Sequence, residues 1–106
     1  MPKKDEILAY LKELKPKLEK NGITKIGLFG SYAKDTANAF SDIDIVIESN
    51  AKIMVKKLGS PFSAICFIDE IKQKIAKKFK RSVDLCDTTS MPLDKKNQLT
   101  QGAIYA

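Results

Sequence analysis

Apolar residues recur along the chain at two spacings, and each spacing predicts a kind of element. Within residues 4–20 they recur at i, i+4, i+7 and i+11, which is typical of an amphipathic helix that ends at Asn21-Gly22. Pro16 lies inside this segment and lacks a backbone N–H, so the helix is expected to kink or to stop and restart there.

Three short segments alternate apolar and polar residues, as strands with one buried face do. In the second segment the isoleucines face one way, so Asp42 and Asp44 face the other. In the third, Asp84 falls on the face opposite Val83 and Leu85. The three predicted strands are residues 24–29, 42–48 and 81–86.

Turn-forming residues predict where the other helices begin and end. Ser31 follows Gly30 and is expected to cap a brief helix that runs to about residue 34. Gly59 ends a second helix, and Ser60-Pro61 starts a longer one. The apolar spacing predicts that the inner face of this longer helix consists of Phe62, Ile65, Cys66, Ile68, Ile71, Ile75 and Phe79.

The remaining predicted elements are helices at 51–58 and 93–101 and an apolar tail at 103–105.

Helices and strands that alternate in this way predict an α/β (α+β) fold, a small β-sheet covered by helices. The 106 residues predict one domain, residues 1–106. No apolar run approaches the roughly 20 residues of a membrane helix. The first residues lack the apolar segment of a signal peptide, so a cytoplasmic location is expected.

The absence of histidine narrows the possible chemistry. It excludes Ser-His-Asp and Cys-His catalysis, and two cysteines without histidine cannot form the usual four-ligand zinc site. Cys66 and Cys86 lie in apolar stretches and are predicted to be buried free thiols. The remaining agents are carboxylates, lysines, hydroxyls and bound metal.

The formal net charge of +6 allows two interpretations. A basic domain can bind nucleic acid or an acidic partner. The lysines are spread along the chain without interleaved aromatic residues for base stacking, which favours a solvated surface. Nucleic-acid binding stays open as a minor alternative that a strong salt dependence of RNA or DNA affinity would support.

Two features of the strand ends carry candidate chemistry. Gly30-Ser31 directly follows an apolar strand, where a small-residue turn can present backbone N–H groups to phosphate. Asp42, Asp44 and Asp84 lie on the polar faces of strands, where neighbouring carboxylates repel each other unless a cation joins them. Magnesium fits such a site because it accepts a few carboxylates and keeps positions for phosphate. The sequence lacks the P-loop pattern.

The stretch Gly30-Ser31-Tyr32-Ala33-Lys34, with Ser41-Asp42-Ile43-Asp44 a few residues on, resembles the signature of polymerase-beta-like nucleotidyltransferases. Nearly the whole chain is similar to the minimal nucleotidyltransferases (MNT proteins) of this superfamily. The resemblance implies that Asp42 and Asp44 bridge two Mg²⁺ ions and ATP, with Asp84 completing the site near the acceptor hydroxyl. It also implies that Gly30 and Ser31, aided by Lys34, hold the phosphates.

Two positions depart from the family pattern. Asp35 stands where glycine is common, and an acid near the triphosphate could weaken its binding. Lys34 stands where arginine is frequent, which keeps the charge but loses the bidentate fork. Both departures leave the three aspartates intact, so an active enzyme is expected.

A nucleotide pocket would occupy most of this chain, so the acceptor site is expected to be completed by another chain or by the second subunit of a homodimer. The resemblance to MNT proteins implies the antitoxin of a toxin–antitoxin pair, which transfers AMP to a HEPN-type toxin, a ribonuclease, and silences it. The alternative is a catalytically idle antitoxin that neutralises its partner by contact.

Overall fold

The computed structural model describes residues 2–106, and this part of the chain forms a four-stranded sheet and five helices. The strands are β1 (Ile23–Phe29), β2 (Ile43–Ser49), β3 (Val83–Asp87) and β4 (Ile104–Tyr105). The helices are α1 (Lys4–Lys20), α2 (Gly30–Ala33), α3 (Ala51–Leu58), α4 (Pro61–Phe79) and α5 (Leu93–Leu99).

The sheet is mixed, with the strand order β3-β2-β1-β4. β1 pairs antiparallel with both β2 and β4, and β2 pairs parallel with β3. The parallel pair is joined through α3 and α4, as a parallel connection requires a crossover. The predicted α/β (α+β) class, a small mixed sheet covered by helices, is confirmed. That residues 1–106 form a single domain stays a prediction.

The core lies on one face of this sheet. Leu28 pairs with Ile45 and Ile26 pairs with Ile47, so the period-2 pattern of both strands places these side chains together. All four are 1% exposed or less. Apolar residues of α1, α3 and α4 complete the same cluster. The sequence expectation that the isoleucines of β2 face the core is confirmed.

Local capping explains the helix boundaries around α3 and α4. The Asn50 side chain accepts a hydrogen bond from the Ile53 N–H, and Ser60 accepts one from the Ser63 N–H. Gly59 ends α3 with a φ of 102°, a conformation that favours glycine. α1 is one continuous helix through Pro16, so the restart allowed for above does not occur.

The predicted inner face of α4 is wrong over its first turns. Phe62 is 74% exposed, Ile65 is 67% exposed and Cys66 is exposed, whereas Phe67 is 6% exposed. A helix turns about 100° per residue, so Phe67, Ile71 and Ile75 share one face while Cys66 lies about 140° around the helix from Ile71. The face that packs on the sheet follows Phe67, Ile71 and Ile75 instead.

Three smaller expectations also change. Cys86 is half-buried rather than fully buried, and both cysteines are free thiols. Ser31 lies inside α2, whose N-cap is Phe29, so it does not cap that helix. The tail at 103–105 contains β4, which extends the sheet beside β1. No helix within residues 2–106 is long and apolar enough to span a membrane.

Candidate functional site

The pairing of β2 with β3 brings two of the predicted acids together. Asp44 is directly opposite Asp84 in the parallel register. Asp42 precedes Asp44 by two residues, so its side chain leaves the chain on the same side. Asp42 and Asp84 are exposed and Asp44 is half-buried. Because Val46, the next residue on this face, is fully buried, the acids lie at the open end of the face.

Gly30 touches the central acid. β1 pairs Phe29 with Asp44, and the chain then turns at Gly30 with a φ of 73°. A Cβ atom added to Gly30 would collide with the Asp44 carboxylate, whose Cγ would be only 3.0 Å away. Two demands therefore require glycine here, a positive φ and close approach of the backbone to the carboxylate.

The electrostatics of Asp44 show that the acids interact. Burial raises the pKa of Asp44 above its ordinary value of 3.8, and the charges of Asp84 and then Asp42 raise it further. Neighbouring negative charges oppose ionisation of Asp44, and a cation bound beside these carboxylates would lower its pKa again.

The aspartate carboxylates could supply some of the ligands of a magnesium ion but do not form a complete binding site by themselves. Within residues 2–106, no group of three Asp, Glu, His or Cys side chains stands ready as a metal cage. Magnesium commonly binds one or two carboxylates together with substrate phosphates and water rather than an all-protein cage. Asp44 and Asp84, which are opposite each other in the register of β2 and β3, supply the two carboxylates that such a site would need.

The other predicted phosphate-binding residues, Ser31 and Lys34, lie directly after the turn at Gly30. Ser31 is the second residue of α2 and Lys34 is its C-cap residue. The Lys34 side chain lies beside the turn that leads to β4, where its Cε would be 3.7 Å from a Cβ at Gly102. Lys34 is exposed and Ser31 is half-buried.

The structure gives a reason for the departure at Asp35. Its φ is 58°, in the left-handed region, which explains a preference for glycine and which aspartate tolerates better than most residues. The Asp35 carboxylate accepts a hydrogen bond from Lys4 Nζ at 3.0 Å, and its side chain is 70% exposed. Its negative charge therefore has a partner at the start of α1.

A second polar cluster at the other end of this sheet face was not predicted. Lys96 on α5 donates to Glu48 on β2, and Lys25 Nζ lies 3.4 Å from the other Glu48 oxygen. The hydrogen bond from Lys96 lowers the pKa of Glu48 even though burial opposes this. The alternation Asp44-Val46-Glu48 places Glu48 on this face, but nothing local identifies Lys96 as its partner.

A third group ties the far ends of β2 and β3. Burial alone would raise the pKa of Asp87, but hydrogen bonds from Thr89 and Ser49 outweigh it and lower the pKa. Because these bonds satisfy the carboxylate, we interpret Asp87 as a structural residue.

Comparison with known proteins assigns this chain to a family. The family model described as nucleotidyltransferase domain matches residues 5–105. No match was found among curated proteins. Two solved structures cover 90% of this chain and 70% of their own, each with a TM-score of 0.57. One is a toxin-antitoxin with AMP-PNP at 25% identity. The other, a mutant of the toxin-antitoxin MntA-HpeT at 23% identity, shows similarity of fold alone.

The family match spans almost the whole chain, including α1, the Gly30 turn and all three acids. The similar structures share its fold over 90% of the chain. The chain therefore belongs to the nucleotidyltransferase domain family, and its recognition as a minimal nucleotidyltransferase of the polymerase-beta-like superfamily is confirmed.

Proposed function

We propose that this nucleotidyltransferase transfers AMP from ATP to a hydroxyl group of a partner protein, as the antitoxin of an MNT/HEPN toxin–antitoxin pair. The observation that carries the proposal is the pairing of Asp44 with Asp84 beside the Gly30 turn. The similar structure at 25% identity, described as a toxin-antitoxin with AMP-PNP, supports the nucleotide and the biological context.

In this proposal one group of residues binds the metal and another binds the phosphates. Asp42, Asp44 and Asp84 hold Mg²⁺, of which two ions are expected, and the bound metal supplies positive charge to the triphosphate. Gly30 lets the backbone approach the phosphates, while the Ser31 hydroxyl and the Lys34 ammonium group bind their oxygens. Cytoplasmic location belongs to the same proposal.

The reaction is an in-line displacement at the α-phosphorus. The acceptor hydroxyl oxygen forms a bond to phosphorus, the bond to the pyrophosphate oxygen breaks, and Asp84 takes the hydroxyl proton. Asp84 suits this role because its side chain is exposed and lies next to Asp44. The catalytic contribution comes mainly from positioning and electrostatics, in keeping with a chain that has no histidine.

A labelling experiment tests the proposal. Radiolabelled ATP (α-³²P) and Mg²⁺ are incubated with this protein and the product of the neighbouring gene, and we expect label on that product. The Asp42→Ala/Asp44→Ala variant should transfer none, whereas Asp69→Asn, a change of an exposed acid on α4, should transfer normally. Absence of label with the unchanged protein, or equal label with the double variant, would contradict the proposal.

A second candidate is a binding antitoxin whose site is idle. Phe62 and Ile65 favour it, because they are exposed neighbours on α4 and an exposed apolar patch can mark a protein contact. In that case Asp42→Ala/Asp44→Ala would still neutralise the partner, while Phe62→Ser/Ile65→Ser would not. Size-exclusion chromatography of the protein alone and with its partner distinguishes a homodimer from a mixed complex.

A further inference from the structure

A basic cleft lies between α4 and the first residues of β3. Its volume is about 520 Å³. The three positively charged side chains among its lining residues are Lys72 on α4 and Lys80 and Arg81 in the turn before β3. The remaining lining residues carry no charge, and they are Gln73, Ala76, Ser82 and Val83.

These cations lack partners within the described residues. No ion pair within residues 2–106 involves Lys72, Lys80 or Arg81. The Arg81 Nε atom is buried and has no hydrogen-bond partner in this part of the chain. Arg81 as a whole is half-buried and lines the cleft, so an anion bound there would pair with positive charge that no described protein group neutralises.

The backbone at Lys80 adds an independent sign that this position is constrained. Lys80 ends α4 with φ 54° and ψ 45°, the left-handed conformation in which glycine or asparagine is usual. This conformation ends α4 through hydrogen bonds from the Lys80 and Arg81 N–H groups to the Ala76 carbonyl, and a residue other than glycine adopts it at a cost. The strained turn holds the Lys80 side chain in the lining of the cleft.

The cleft adjoins the candidate site through the strand edge. The Ile43 N–H donates to the Ser82 carbonyl at 2.9 Å, and Ile43 pairs with Val83. Asp42 precedes Ile43 and Asp84 follows Val83, so the cleft and the acids share the same end of β2 and β3. β3 is an edge strand, which leaves a path around its edge from the cleft to Asp84.

We propose that this cleft binds carboxylate groups of the acceptor protein and so positions the accepting hydroxyl next to Asp84. The inference rests on the proposed function and specifies the acceptor as a hydroxyl residue with acidic neighbours. A protein carboxylate is favoured over nucleic acid because the cleft lining contains no aromatic side chain on which a base could stack.

Binding of a model peptide tests the cleft without any catalysis. The probe is a fluorescent peptide with two glutamates on each side of one tyrosine, and its control has glutamines instead. Lys80→Gly combined with Lys72→Gln should weaken binding of the acidic peptide about tenfold, because each of the two solvent-accessible charge contacts is worth roughly threefold. Lys56→Gln/Lys57→Gln, which removes two exposed charges from α3, should leave binding unchanged.

Thermal unfolding separates a binding role from a structural one. Glycine suits the left-handed backbone at position 80, so Lys80→Gly alone should not lower the melting temperature although it weakens peptide binding. Unchanged affinity in the double variant, or an equal loss in the α3 variant, would overturn the proposal. Tighter binding of a uridine hexanucleotide than of the acidic peptide, lost in the same double variant, would overturn it in favour of nucleic acid.

The outcomes can be told apart from failure of the proposed function. In the labelling experiment, Lys72→Gln/Lys80→Gly should raise the KM for the partner while leaving AMP-PNP binding unchanged. Asp42→Asn/Asp44→Asn should abolish transfer while leaving peptide binding intact. If the unchanged protein transfers no label, the proposed function fails, and the peptide measurement still decides whether the cleft binds carboxylates.

Discussion

At the residue scale, Gly30 joins the backbone turn to the candidate chemistry. Its positive φ and its contact with the Asp44 carboxylate come from the same register, which pairs Phe29 with Asp44. A side chain at this position would act on the fold and on the acid at once.

Gly30→Ala is therefore expected to reduce both stability and activity. The strained φ and the collision with Asp44 should lower the free energy of unfolding by about 1–3 kcal/mol. Transfer activity should fall at least about tenfold because Asp44 is displaced. Urea denaturation and the labelling assay measure the two effects. Gly59→Ala, where a Cβ meets no atom within 4 Å, controls for the strained φ alone. Equal activity loss in both variants would contradict a specific role of the Gly30–Asp44 contact.

Asp44 predicts a conflict between stability and function. Its pKa is raised, chiefly by burial, so the folded state holds the proton more tightly than the unfolded state. The free energy of unfolding must then fall as the pH rises from about 3.8 through the raised pKa, and the loss persists at neutral pH.

Asp44→Asn should thus stabilise the metal-free protein at pH 7 while abolishing transfer. We expect a gain below about 1.4 kcal/mol, the value of one pKa unit, because the side chain is only half-buried. At pH 3, where the carboxyl group is protonated in both states, the gain should disappear. Urea denaturation in EDTA at the two pH values measures this, with Asp69→Asn as the control. An Asp44→Asn protein that is less stable at pH 7 would refute the electrostatic explanation.

At the element scale, β4 closes the sheet against a glycine. Gly27 pairs with Tyr105, and a Cβ atom at Gly27 would lie 2.9 Å from both the Ile104 carbonyl oxygen and Tyr105 Cδ1. The small residue in β1 is what allows β4 to lie so close. β4 in turn places the Gly102 turn beside Lys34.

Gly27→Ala should consequently detach β4 without disturbing the three acids. We expect a loss of about 1–3 kcal/mol in the free energy of unfolding, as is usual for overpacking. Hydrogen exchange should become faster at the Ala106 amide, which donates to the Ile26 carbonyl, and remain slow in β2. Faster exchange in β2 to the same extent would mean that the sheet responds as a single unit.

At the scale of the whole molecule, ligand binding should be visible as added stability. A ligand that binds only the folded state at 100 times its Kd stabilises by about 2.7 kcal/mol. For a protein of about 100 residues, each kcal/mol raises the melting temperature by roughly 4–8 °C.

AMP-PNP with Mg²⁺ is accordingly expected to raise the melting temperature by about 10–20 °C at that concentration. EDTA should remove most of the shift, because the triphosphate and the clustered carboxylates repel each other without a cation. Asp42→Asn/Asp44→Asn should show little response, and Asp69→Asn should respond like the unchanged protein. A full shift in the presence of EDTA would argue against metal-assisted binding.

The sequence alone predicts those features of this molecule that depend only on residues close together in the chain. Alternation in β2 assigns Ile45 to the core and Asp44 to the opposite face, because successive side chains of a strand point to opposite sides. Gly59 identifies the end of α3 for a similar reason, since a helix end needs partners within a few residues. The motif around Gly30 and the two strand acids is also local, and it suffices to recognise the superfamily.

The tertiary structure decides what depends on distant parts of the chain. The spacing of Phe62 and Cys66 fits an inner helix face, but only the position of α4 over the sheet determines that Phe67 is buried instead. Likewise the register of β2 and β3 sets Asp84 opposite Asp44, and the register of β1 and β2 sets Gly30 against that carboxylate. The alternation of apolar and polar residues determines which side chains lie on each face of a strand. Pairing between strands far apart in sequence determines which faces meet, and that pairing brings the candidate site together.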